Sequence, residues 1–388
     1  LNVLYFHQFF KTPTEGGSIR SYLLARTLVE NGHEVTMITT HNAPKTVKNI
    51  AGIRVIYLHV PYDNTYKFWR RIIAFLSYSY LACRTSMRHK AIDCCYIMTT
   101  PLTTGMIGLF NKFFYKRPYF FEVGDLWPLV PIEMGFIRAW PLKYLTRWME
   151  KTFYRHSIGN IGMSPPITSH IQSIAPSVAT ETIYNISDCA FFQPTEKQKS
   201  TNEFVICYTG TFGLANDLFR VISIAEQVQN LPIRFVMVGA GADKPAIEQL
   251  IADKQLKNVE IRGFSDKKAM AKLMEQSDAM LISFANYSSL FTGSPNKLFD
   301  ALAAGKLIIT NFDGWIAELI YQAKCGVHFV HDSSDSFKEK ITPFLDNPEL
   351  LHSYQINSRQ LAERQFDLKL QAPKFLSFVE RLVHAKDS

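Results

Sequence analysis

A lysine stands where a helix start disfavours it. In Gly293-Ser294-Pro295-Asn296-Lys297-Leu298-Phe299-Asp300 the first four residues open a helix, and Lys297 falls in its first turn. The helix dipole disfavours a cation there by about 0.3–1 kcal/mol. A bound anion reverses that sign, because it meets the free N–H groups and the ammonium together. A second glycine-opened helix begins at Gly16-Gly17-Ser18, with Arg20 one turn in. Paired glycines let a phosphate approach the backbone closely. A third loop, Glu122-Val123-Gly124-Asp125-Leu126-Trp127-Pro128, places two carboxylates and an indole after a strand. Carboxylates can hold sugar hydroxyls, and an indole face can pack on a ring. Asp125 reads equally as a helix cap. Glycine turns recur at Gly210 and Gly213, and at Gly239 and Gly241. The latter pair lacks the third glycine of a dinucleotide fingerprint. Arg262-Gly263 stands where an NAD ribose would want an acid, so an NAD enzyme is disfavoured.

The elements that must position these loops alternate along the chain. Strands are expected at 2–6, 34–39, 53–57, 93–98, 118–122 and 157–162, with helices at 18–31, 67–89, 103–114 and 142–156 between them. A polar stretch follows, and the alternation restarts. Strands are expected at 204–208, 233–238, 259–261, 279–283, 307–310 and 327–330, with helices between, and a last helix at 368–385. This is an α/β pattern with two doubly wound, Rossmann-like domains. The expected division is 1–190, a linker at 191–202, a second domain at 203–365 and a terminal helix at 366–388. Ligands in such sheets bind beyond the carboxyl ends of the strands, here in a central cleft between the domains.

The 388 residues are 47% hydrophobic and 20% charged, which excludes global disorder. The six cysteines include no C-x-x-C or C-x-x-H pair, so no zinc knuckle is expected and no metal site is assigned. Cys94 and Cys95 are neighbours on a strand and should point to opposite faces. The start of the chain reads as a strand rather than a signal peptide. The apolar run 72–83 is too short to span a bilayer, which takes about 20 residues. The net charge of +8 is unevenly held: +9 over 1–195 and −1 over 196–388. In 62–91, Lys67, Arg70, Arg71, Arg84, Arg88 and Lys90 face one acid, Asp63, among interleaved aromatics. That composition suits a helix in an anionic headgroup layer. The aromatics form a continuous apolar run, unlike spaced base-stacking platforms, so nucleic acid is the poorer partner.

Taken in order, these loops resemble the family-4 retaining glycosyltransferases of the GT-B fold. Five elements carry the resemblance: Gly16, Gly17 and Arg20; the run from Tyr184-Asn185 through Asp188 and Phe192 to Pro194; 208–213; 236–241 with Arg262-Gly263-Phe264; and 294–305. Glu122 to Pro128 and the Ser294-Pro295-Asn296-Lys297 run are similar to a bacterial O-antigen and capsule subgroup of N-acetyl-fucosaminyltransferase type. The resemblance implies a terminal helix crossing back to the first domain. It implies metal-independent transfer, with retention, from a nucleoside diphosphate sugar whose base is uracil. The acceptor is a lipid-diphosphate-linked saccharide, at the inner face of the cytoplasmic membrane. No other cofactor is implied.

Residue by residue, the donor diphosphate falls to Gly16, Gly17, Gly213, Gly293, Ser294, Pro295, Asn296 and Lys297. The nucleoside falls to Gly239, Arg262, Phe264 and Asp300, and the acceptor side to His7, Arg20 and Trp127. Asp125, Glu122 and Lys297 are the expected catalytic set. Thr292 and Asp300 stand where many members carry two glutamates, and the third-loop bases of many members are missing. Lys297 is expected to supply that charge. An epimerase of the same fold, or a non-catalytic basic scaffold, would share parts of this pattern.

Overall fold

Strands that are apolar on both sides need cover on both faces. The runs Asn-Val-Leu-Tyr-Phe, Cys-Cys-Tyr-Ile-Met and Tyr-Phe-Phe-Glu-Val are of this kind, and all but the first residue is buried. The computed structural model describes residues 1–387 except 16, 64–65, 195–202, 264–265 and 332, so Gly16, Phe264 and most of the linker lie outside the described residues.

The first sheet has eight strands: β1 (Asn2–Phe6), β2 (Glu34–His41), β3 (Thr46–Ile50), β4 (Ile53–His59), β5 (Cys94–Met98), β6 (Tyr119–Val123), β7 (Gly159–Gly162) and β8 (Thr180–Thr182). Their order is β3-β4-β2-β1-β5-β6-β7-β8, parallel except for β3 against β4. The second has six: β9 (Phe204–Thr211), β10 (Ile233–Ala240), β11 (Val259–Arg262), β12 (Ala279–Ile282), β13 (Leu307–Thr310) and β14 (Gly326–His328). Their order, β11-β10-β9-β12-β13-β14, is the doubly wound one, all parallel. In each sheet the order reverses beside the first strand, which opens a crevice at the strand ends.

Helices cover both faces of the first sheet. Tyr78 and Ala82 of Phe68–Ser86, Ile107 of Gly105–Tyr115, and Phe153 of Trp140–His156 share one core with Cys95 and Phe121. Leu24 and Leu28 of Arg20–Glu30 share the opposite core with Cys94 and Phe120. The two adjacent cysteines therefore do point to opposite faces.

The last helix, Leu368–Asp387, returns to the first domain, as the fold class implied. Phe375, Phe378, Val379 and Val383 complete the core beside Arg20–Glu30. Each such side chain stabilises by about 1.5–3 kcal/mol on burial. His33 Nε2 and Glu380 meet at 2.9 Å on the rim. The chain thus passes between the domains twice, and the passages run side by side. Ser187 bridges to Asp367, its N–H donates to the Phe366 carbonyl at 2.9 Å, and its hydroxyl donates to Phe299 at 2.8 Å.

Candidate active site

The segment 288–296 of the second domain is held by polar groups of the first. Glu133 accepts from the Ser288 hydroxyl at 3.1 Å and the Ser289 N–H at 2.9 Å. Ser164 donates to the Thr292 carbonyl at 2.6 Å, and Asn185 to the Ser294 carbonyl at 3.0 Å. The Ser18 hydroxyl donates to Asn296 Oδ1 at 3.2 Å, and Asn185 bonds the same oxygen. The helix Asn296–Ala303 starts here with no side-chain cap, so its first N–H groups face the space between the domains.

Two cavities meet at that helix start. One, of about 500 Å³, lies on the second domain and is lined by Gly17, Gly210, Gly239, Lys267, Lys297 and Asp300 among others. The other, of about 860 Å³, lies on the first domain and is lined by His7, Gln8, Arg71, Asp125, Trp127 and Gly293 among others. They share Ser18, Phe284, Pro295 and Asn296. A group bound in one therefore reaches the other past the 295–296 backbone.

Lys297 reaches across the second-domain cavity to the third loop. Its Nζ lies 3.4 Å from Asn216 Oδ1 and 4.0 Å from the Tyr208 ring centroid. A Cβ added to Gly210 would stand 3.2 Å from the ammonium. No carboxylate pairs with it among the described residues. Burial lowers its pKa to about 7. The lysine thus lies against the third loop, between Tyr208, Gly210 and Asn216. Asp300, one turn along the same helix, is pushed up to about 7 by burial, with Asp188 adding and Lys267 opposing.

The glycines of the third and fourth loops are spacers between two backbones. Gly210 and Gly239 are register partners at the ends of β9 and β10. A Cβ on Gly239 would fall 1.8 Å from the Gly210 carbonyl oxygen. We expect Gly239→Ala to wedge these strand ends apart. It should cost about 1–3 kcal/mol or more and abolish nucleotide binding. Thermal melts with and without UDP check this, and an unaltered nucleotide response would remove Gly239 from the cavity wall.

Asp125 sits at the mouth of the first-domain cavity. It is open to solvent yet walled by protein, and burial raises its carboxyl above the usual range. Its Oδ1 lies 3.8 Å from where a Gly293 side chain would begin, so it faces the junction of the cavities. Trp127 lines the same cavity, edge-on to Phe75 at 6.4 Å. His7 lines it too, but its Nδ1 bonds the Ser21 hydroxyl at 2.7 Å and burial lowers its pKa to about 3. It is a neutral wall residue.

Four expected site residues stand elsewhere. Glu122 and Arg20 do not touch either cavity. Side chains alternate along β6, so Phe121 and Val123 face one core and Phe120 and Glu122 the other. There Glu122 Oε1 accepts from Arg20 Nε at 2.6 Å, and Oε2 accepts from the Tyr96 hydroxyl, with both side chains of the pair fully buried. Arg20 also donates to the carbonyls of Ile183, at 2.9 Å, and Tyr184. This pair ties the first helix, β6 and the crossing segment beneath the site, so its role is positional. Arg262 is drawn to Glu260 at 2.6 Å, in a surface chain that continues to Arg234, and is not part of the lining of the second-domain cavity. Gly213 is not part of that lining; within the third loop its carbonyl accepts from the Asn216 N–H at 2.9 Å.

Lys267 is a site residue the sequence reading passed over. It lies on the cavity wall 2.5 Å from Asp188, with Phe191 and Phe192 under its ammonium at 4.3 and 5.4 Å. It is the first residue of the helix Lys267–Glu275, capped by Asp266. That is the same cation-at-helix-start signal that singled out Lys297. Among the described residues no group of three His, Cys, Asp or Glu could hold a metal ion.

Residues 15–185 match the family described as glycosyl transferase 4-like domain, and 191–361 match glycosyl transferases group 1. The alpha-monoglucosyldiacylglycerol synthase of Acholeplasma laidlawii is 24% identical over 184 residues, 43% of this chain and 44% of that one. The chain spans about half the length, or less, of the curated relatives it matches. Sucrose-phosphate synthase from Thermosynechococcus elongatus superimposes with a TM-score of 0.81 at 15% identity over 99% of each chain. Anabaena HepE in complex with UDP-glucose does so with a TM-score of 0.70 at 15% identity, over 98% of this chain and 99% of that one. At such identities the likeness shows the two-domain fold.

Proposed function

Because this chain is a glycosyltransferase of the GT-B fold, we propose that it moves a sugar from a uridine diphosphate donor to a hydroxyl of a lipid-diphosphate-linked saccharide. The observation that carries this is Lys297, an ammonium without a carboxylate partner among the described residues, in a cavity that opens at 295–296 onto a larger one. The smaller cavity takes the nucleotide. Its diphosphate lies against Gly17, the amides that open the helix Asn296–Ala303, and Lys297. The ribose meets Asp300, as the family resemblance implies. HepE, a protein of the same fold, holds UDP-glucose.

When the sugar–phosphate bond lengthens, negative charge grows on the leaving oxygen. Oriented N–H groups and Lys297 stabilise that charge more than they stabilise the bound donor, which is what lowers the barrier. The acceptor hydroxyl approaches from the larger cavity on the same face of the sugar, and a leaving phosphate oxygen takes its proton. Attack on the same face keeps the anomeric configuration, and the amides and Lys297 take the charge that a metal would otherwise hold. Asp125 and Trp127 orient the acceptor. The larger cavity favours transfer over epimerisation, which would need no second site. The basic stretch 62–91 holds the enzyme to the inner face of the cytoplasmic membrane. The Acholeplasma relative, by its name, makes a glycosylated diacylglycerol, so its product too is a lipid. The product we propose here is the lengthened lipid-linked saccharide, on its way to a surface polysaccharide.

A thermal-shift series with nucleoside diphosphates and their sugars tests the donor half. At about 100 times the dissociation constant, a true ligand adds about 2.7 kcal/mol. We expect UDP to shift the melt and ADP to shift it less. Indifference to every nucleotide would sink the proposal. With a turning-over donor, NMR of the product anomeric proton reports retention or inversion.

A further inference from the structure

The helix layer that covers one face of the first sheet is studded with aromatics on its outer side. Phe68–Ser86 packs beside Gly105–Tyr115, which packs beside Trp140–His156. Their inner sides share one core, so their outer sides form one surface. On the third helix Trp140, Tyr144 and Trp148 recur every four residues, one above another, and are 79%, 72% and 55% exposed. On the middle helix Phe113 and Phe114 are exposed, and on the first Trp69, Ile73 and Tyr80. Scattered exposed aromatics need no explanation, but a contiguous field of them marks a contact surface.

The charge on this field has one sign. The three helices hold eight Lys and Arg and a single acid, Glu150. That acid is buried, where it meets His170 at 2.9 Å and the Tyr154 hydroxyl at 3.1 Å. Lys143, Arg147 and Lys151 run in a stripe beside Trp140, Tyr144 and Trp148. Amphipathic rings bordered by cations are the chemistry of the layer between lipid headgroups and acyl chains. No helix among the described residues is long and apolar enough to cross a bilayer, so the contact is with its surface. The first of these helices also lines the larger cavity with Arg71 and Phe75. The field therefore runs to the rim of the acceptor site.

We propose that these three helices together form the face that docks this enzyme on an anionic bilayer, with the stripe Trp140–Tyr144–Trp148 as its main anchor. This deepens the membrane association proposed above for 62–91, on which it rests, and moves the principal contact to a helix outside that stretch. Flotation of the full chain with phosphatidylcholine vesicles, with and without 30% phosphatidylglycerol, tests it. We expect the protein to float with the anionic vesicles only, and less at high salt. Trp140→Ser/Tyr144→Ser/Trp148→Ser should weaken vesicle binding at least tenfold, and Lys143→Glu/Arg147→Glu/Lys151→Glu should abolish it. Five of these side chains are exposed and Lys143 is half-buried, so both variants should keep the parent melt and its UDP shift. A triple serine variant that floats like the parent would overturn the proposal. So would a parent dimer that the same variant turns into a monomer, since a second copy would then own the face. A missing UDP shift with normal flotation would instead defeat the donor assignment and leave this one standing.

Discussion

Replacing Lys297 by methionine is expected to lower kcat about 10²–10³-fold with the fold intact, the usual cost of losing one preorganised donor to a developing anion. Methionine keeps an unbranched side chain of nearly the same length, able to pack on Tyr208 without the charge. The sign of the stability change separates this from a structural role. The ammonium has a folded pKa of about 7, below its ordinary 10.5. Its burial therefore costs stability fully below pH 7, and that cost fades as pH rises from 7 toward 10.5. Without nucleotide, the variant should melt above the parent at pH 6–7, with the gain vanishing near pH 10. With UDP the order should invert, because the diphosphate restores the charge in the parent alone. UDP binding by the parent should take up a proton above pH 7 and weaken as pH rises. The variant should lack this slope, which calorimetry in buffers of different ionisation enthalpy measures. A kcat within threefold of the parent would remove Lys297 from the leaving-group site.

Breaking the Arg20–Glu122 pair should instead destroy stability. Both side chains are fully buried, and truncating one leaves the other charge without its partner, at about 3–5 kcal/mol. Arg20→Met and Glu122→Leu should each lower the unfolding free energy of the first domain, read from urea titration, by that much. The double variant should be more stable than either, because no orphan charge remains. Donor binding should survive in whatever fraction stays folded. If Glu122→Leu kept its stability and lost only turnover, Glu122 would be back among the residues that meet substrate.

These two sites show which signals are local to a segment and which depend on the fold. Lys297 was legible because its anomaly is local: a cation at the start of its own helix needs no knowledge of the fold. Lys267 carries the same local signal but was passed over, because the Asp266 cap in front of it made the helix start look ordinary. Glu122 misled because its partner Arg20 is 102 residues away. A carboxylate near a strand end reads as a site until the face it takes is known. With apolar residues on both faces of β6, alternation could not reveal that face. The alternation of strands and helices, and with it the doubly wound fold class, was legible because apolar runs and glycine turns are strong signals. β3 escaped because it is polar, exposed and paired only with β4 through the turn at Ala51 and Gly52. The aromatic field was half visible. Periodicity marked 67–89, but in 140–156 the outward stripe of tryptophan and tyrosine has the spacing of a core stripe. Exposure alone distinguishes them.

The paired crossings also set an order of assembly. Ribosomes deliver the second domain whole, from 204 to about 361, before they deliver Phe375, Phe378, Val379 and Val383, which wall the first core. The domain that is started first is therefore finished last. Until those residues emerge, the apolar side of Arg20–Glu30 stands open on the nascent chain, next to a neighbour already folded, and the cleft between them cannot take its final shape.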